Sequence, residues 1–157
     1  MVNFLSVDPP LAGLVGGAVF GVAIFATLWG GRLYDRLRRP RYLILVSNIG
    51  VVLAVAMAAV PSLAAMAAGS VLIGVASSVA FTVVFASAKD LNRAGHEYDS
   101  LAVAWVNCIG LFGSFWPPLV FSYLVEASGY GSGWLGGAGL ALACTLPMLA
   151  LREQRPA

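Results

Sequence analysis

The sequence predicts an all-α integral membrane protein of five transmembrane helices, and three features lead there. Of its 157 residues 60% are hydrophobic and only 10% charged, with a mean hydropathy of +0.89, whereas a soluble domain carries about a quarter charged residues. The ionisable groups stand between long charge-free runs: no Asp, Glu, Lys, Arg or His occurs in 11–31, 42–88, 100–125 or 127–151. A bilayer core of roughly 30 Å takes roughly 20 helical residues to cross. Finally, five of the nine Lys/Arg residues crowd into 30–41, between two such runs, and short basic loops stay on the cytoplasmic side.

The first span is expected over 10–29. Pro9-Pro10 opens it, because proline's missing N–H would be unpaired at a helix start anyway. The lead before it lacks the basic start and cleavage site of a signal peptide, so this segment is expected to stay as a span. Gly13, Gly17 and Gly21 step by four residues. In lipid, helices associate where small residues let backbones approach, so the stripe predicts a tightly packed face. After the basic turn the second span covers 42–60, and Pro61-Ser62 marks a short turn.

The third span, 62–88, is longer than a perpendicular crossing needs, which predicts tilt or a cytoplasmic extension. Ser70, Gly74, Ser78, Thr82 and Ala86 again step by four, a narrow and weakly polar face suited to a helix contact or to a cavity wall. The polar loop 89–99 follows, with Asp99 expected as the N-cap of the next helix. His96, the one histidine, reads as a solvated loop residue. The fourth span, 100–125, contains Pro117-Pro118, which removes backbone donors and predicts a kink or break. The fifth, 133–151, carries Gly133, Gly137 and Ala141, with Gly137 expected at a helix contact. Cys108 and Cys144 fall inside spans with no metal-ligand spacing and read as small apolar packing residues.

With the 30–41 turn inside, all nine Lys/Arg fall inside and only Asp8 and Glu126 outside. The prediction is therefore a multi-pass cell-membrane protein, N-terminus out and C-terminus in, with the lipid bilayer as its first partner. The arginines flank spans, which excludes nucleic-acid binding. No metalloprotease pair, Ser/His/Asp set or carboxylate pair occurs at membrane depth, so no enzyme, catalytic residue, metal or cofactor is expected. Charges at membrane depth mark proton relays, and none is present to make these helices a proton pump by themselves. The polar groups within the spans are Asn48, Asn107 and the hydroxyls of the third helix. Ser78, Thr82 and Asn107 are the candidates for a cavity lining, with interhelical bonding the alternative for Asn107.

The run from Gly31 to Arg39 resembles the G-x-L-x-D-R-x-G-R-[KR] loop signature of the major facilitator superfamily. Gly31, Leu33, Asp35, Arg36 and Arg39 match, while Arg38 replaces a glycine and Pro40 a basic residue that Arg41 supplies one place later. Downstream, Pro117-Pro118, Gly129-Tyr130 and Trp134 resemble the fifth-to-sixth helix region of a six-helix half. The resemblance implies a partial half bundle equivalent to helices eight to twelve, in the C-terminal half. It implies a small-molecule solute moved by alternating access, with the missing helices supplied by another half or a second copy. A membrane scaffold or partner subunit that keeps the fold without transport is the alternative. It further implies that Asp35 latches its loop against a helix N-terminus and pairs with nearby arginines.

Overall fold

The computed structural model describes residues 8–90 and 95–150. All their regular structure is helical: α1 (Pro9–Leu37), α2 (Pro40–Ala58), α3 (Leu63–Asp90), a 3₁₀ turn (His96–Tyr98), α4 (Asp99–Ser114), α5 (Trp116–Ser128) and α6 (Tyr130–Ala150). Among the described residues each of the five expected spans is mostly helical. Four stretches of the described residues are long and apolar enough to cross a membrane: α1, α2, α3 and the run His96–Ser128 that holds α4 and α5.

The boundaries differ from expectation in four places. The basic stretch is mostly helix rather than turn: Gly30 lies against Val79 of α3, where close packing offsets its poor helix propensity, and the Arg and Leu residues that follow are good helix formers up to Pro40. At 29 residues, α1 is about 43 Å long at 1.5 Å per residue, more than a bilayer core needs. It ends where Arg38 turns left-handed at φ 48° and donates its N–H to Tyr34 O at 2.8 Å, a terminal carbonyl satisfied by an αL cap. Second, the fourth span divides at Phe115, whose N–H reaches back only to Phe112 O at 3.3 Å, and Pro117 falls in the first turn of α5. Third, Asp99 is the first residue of α4 rather than its N-cap, a place that Tyr98 holds; its Oδ2 lies 3.3 Å from Nδ1 of His96. Fourth, α6 begins at Tyr130, because Gly129, at φ 88°, reverses the chain at once.

The helix the others share is α3. It contacts α1, α2 and α4, while α6 packs on α2 and α5 on α6. A Cβ on Gly74 would stand 2.7 Å from Val19 O, and one on Gly30 would stand 3.1 Å from Val79 Cα. Across the other contact, Gly69 would meet Ala54 O at 2.9 Å and Gly50 would meet Ala76 Cβ at 3.0 Å. Backbones thus touch over glycine on both partners of α3, as expected of helices that gain little from hydrophobicity in lipid. Gly137 has only an ordinary contact, 3.4 Å from Val55 Cγ1.

The stripe Gly13, Gly17 and Gly21 does not behave as expected. All three are exposed, and a Cβ on any of them would meet nothing within 4 Å. The physical reason is the helix's facing. The buried residues of α1 are Val15, Ala26, Gly30 and Tyr34, and at 3.6 residues per turn Val15 points away from both Gly13 and Gly17.

One end of the bundle gathers the charges. Tyr34 near the end of α1 bonds Asp90 at the end of α3, and Arg41 at the start of α2 donates from Nη2 to Leu149 O near the end of α6. A cation on a helix C-terminal carbonyl is favourable. The 30–41 segment, Lys89–Asp90 and the end of α6 therefore share one face, as the charge segregation predicts.

The glycine contacts generate a direct comparison. Gly74→Ala forces the Val19 backbone aside and should destabilise the fold by about 1–3 kcal/mol, as overpacking does. Gly17→Ala should leave thermal unfolding in detergent unchanged or slightly raised. Equal effects at the two positions would show that α1 does not meet α3 as described.

Candidate functional site

Three cavities follow the helices from the charged end to the far end. The first opens at the charged end, with a volume of about 570 Å³, between α1, α3 and α4; Tyr34, Asp35, Arg38, Thr82, Lys89 and Asp90 line it. Through Tyr34 and Ala86 its floor meets a small apolar core of Tyr34, Leu43, Val79 and Val83, against which Leu33, Ile44 and Ala86 pack. The ring of Tyr34 is buried in this core, and its hydroxyl donates to Asp90 Oδ2 at 2.7 Å. That bond joins the ends of α1 and α3 where Gly30 already lets them touch.

The signature residues divide between floor and rim. Leu33 packs into the core. Gly31 is half-buried, and a Cβ there would meet only Thr82 Cγ2 at 3.9 Å, so sterics do not demand glycine. Asp35 is exposed on the rim with Arg38 and Lys89. Its carboxylate makes no ion pair among the described residues, the one pair there being His96 with Asp99. Arg36 and Arg39 are exposed and do not line the cavity.

The second cavity, also about 570 Å³, lies between α2, α3 and α4 and includes Asn48, Ser77, Phe81, Phe85, Asn107 and Ser114 in its lining. The third, about 510 Å³, is bounded by α2, α5 and α6, with Val55, Pro117, Phe121, Trp134 and Cys144 among its walls. Val51 lines both, so they meet along α2 near the break between α4 and α5. Neither α4 nor α5 buries a residue. α4 touches the bundle through α3 and α5 through α6, and residues of both helices line the second and third cavities.

The three proposed lining residues have different places. Asn107 is exposed and lines the second cavity. Thr82 lines the first, its hydroxyl donating to Ser78 O at 2.8 Å in its own helix. Ser78 is buried and lines none of the three cavities, so it belongs to the packed interior. Sequence reasoning missed Tyr34 and Asp90 as a pair. The available signals were a tyrosine set among signature charges and an aspartate at a helix end, but nothing local couples them. It noted Asn48 without placing it beside Asn107.

Tyr34→Phe keeps the ring and removes the bond to Asp90. We expect a loss of about 0.5–1.5 kcal/mol, as for one hydrogen bond, read as a lowered unfolding temperature in detergent. Asp90→Asn in the Tyr34→Phe background should then add little, because the shared bond is already gone; additive losses would contradict the coupling.

Compared with known proteins, the chain matches the sequence profile of the Major Facilitator Superfamily over residues 1–157. No curated protein and no solved structure matches it.

Proposed function

Because the chain belongs to the major facilitator superfamily, whose members are secondary transporters rather than enzymes, we propose that it forms one wall of a solute path that opens alternately to the two sides of the cell membrane. In this reading α1 to α3 correspond to helices eight to ten of the full transporter, α4 with α5 to helix eleven, and α6 to helix twelve. The charged end faces the cytoplasm, and the opposing wall comes from further helices, either another half or a second copy. The observation that carries the reading is the cleft behind α4 and α5. It reaches from beside the charged end to the Trp134 region, on a segment that buries no residue and is interrupted beside its tandem proline. Broken helices are tolerated at membrane depth where they line a cavity.

Asp35 is assigned a gating role on the same basis. It lies on the cavity rim beside Arg38 and Lys89, where a closing helix N-terminus would meet its charge. Such a dipole contact is worth about 0.3–1 kcal/mol, which moves a two-state population by about two- to fivefold.

The test uses Cys108→Ser and Cys144→Ser to clear the background, then Asn107→Cys. A membrane-impermeant thiol reagent is added to right-side-out and to inverted vesicles. Alternating access predicts modification of Asn107→Cys from both faces, Arg38→Cys from the cytoplasmic face alone, and a two- to fivefold change in the Asn107→Cys ratio on adding Asp35→Asn. Modification of Asn107→Cys from one face only, or from neither, would favour a non-transporting scaffold and defeat the proposal.

A further inference from the structure

We infer that the cavity between α2, α3 and α4 takes an uncharged solute with an apolar body and a group that both donates and accepts hydrogen bonds. This rests on reading that cavity as part of the solute path. Its polar lining is neutral throughout: Asn48, Asn107, Ser77 and Ser114. No Asp, Glu, Lys, Arg, His or Tyr faces it, in contrast to the neighbouring cavity at the charged end, where Asp35, Arg38, Lys89 and Asp90 stand.

The hydroxyls are already engaged. Ser77 donates to Ile73 O and Ser114 to Leu111 O within their own helices. The carboxamides of Asn48 and Asn107 make no hydrogen bond among the described residues. They lie at matching depth. Asn48 is seven residues beyond Arg41 and Asn107 eight beyond Asp99, so both stand about 10–12 Å in from the charged end at 1.5 Å per residue. Each offers a donor and an acceptor to the same space, from opposite walls.

The rest of the lining is apolar and includes a ring pair, Phe81 and Phe85, with centroids 4.3 Å apart and planes tilted by 46°. Aromatic walls hold an apolar body by area and by edge contacts. A carboxylate or ammonium entering here sheds hydration and finds no counter-charge on the wall this chain supplies, which is the costly case of charge burial. A carboxamide or a similar neutral group loses its water but regains hydrogen bonds from the two asparagines. The pocket therefore selects by charge before it selects by shape.

The test uses three probes with one phenethyl skeleton and different charge: phenylacetamide, phenylacetate and phenethylamine. Binding to the purified full chain in lipid nanodiscs is read by calorimetry. Phenylacetamide should bind, with the two charged probes at least about tenfold weaker. Asn48→Leu and Asn107→Leu should each weaken the amide about tenfold, the equivalent of one good hydrogen bond. Asn48→Ala and Asn107→Ala serve the same purpose should leucine disturb folding, which is checked by thermal unfolding without probe. Amide selectivity alongside one-sided access at Asn107→Cys would uphold the pocket chemistry and defeat the transport reading. Two-sided access with a charged probe bound as tightly as the amide would do the reverse. The inference is overturned if either charged probe matches the amide, if the amide binds all four variants as it binds the parent, or if no probe binds.

Discussion

The contact between α1 and α3 is what the remaining structure depends on. Two glycines, Gly30 and Gly74, bring the helix backbones together at two points, against Val79 and Val19. The hydroxyl of Tyr34 then clasps Asp90 at the charged end. A bilayer supplies little hydrophobic force between helices, so this pairing rests on close backbone approach and one well-placed hydrogen bond. With α2 seated on α3 through Gly50 and Gly69, the three helices make a stable base. The remainder is attached to it, α6 through α2 and α5 through α6.

This asymmetry separates a firm part from a yielding part. The buried residues concentrate on α1 to α3 and α6, whereas α4 and α5 bury none. The tandem proline costs α5 its first donors at the point where α4 ends, and the segment can change direction there without breaking a continuous ladder. The cavities lie behind this segment. Within one chain the packing thus sets a glycine-packed base of α1 to α3 beside a segment, α4 and α5, that buries no residue.

Much of this was legible in the sequence, for identifiable reasons. Charge-free runs fix spans because a charge at membrane depth is so costly. The signature around Gly31, Leu33, Asp35, Arg36 and Arg39 marked the family. The end of α1 was not legible: Gly30-Gly31 reads locally as a helix stop, and only the fold shows Gly30 packed against Val79 with the helix continuing to Leu37. The glycine stripe was misjudged because four-residue spacing says which residues share a face, not which face meets a neighbour. Gly13, Gly17 and Gly21 share a face that points outward, while Gly74 on α3 lies against Val19. The Tyr34–Asp90 bond joins residues 56 apart in the chain, beyond any local pattern. Asn48 and Asn107 were each visible as polar residues within apolar spans, but only the fold places them around one cavity.

Hydrogen–deuterium exchange of the chain in lipid nanodiscs tests the division into base and moving wall most directly. The account predicts the slowest exchange in α3 around 74–83, where both glycine contacts and the apolar core converge, and markedly faster exchange in α4 over 101–114, along the cavity. Protection of α4 equal to that of α3 would contradict it, since a segment as firmly held as the base could not serve as the wall that yields.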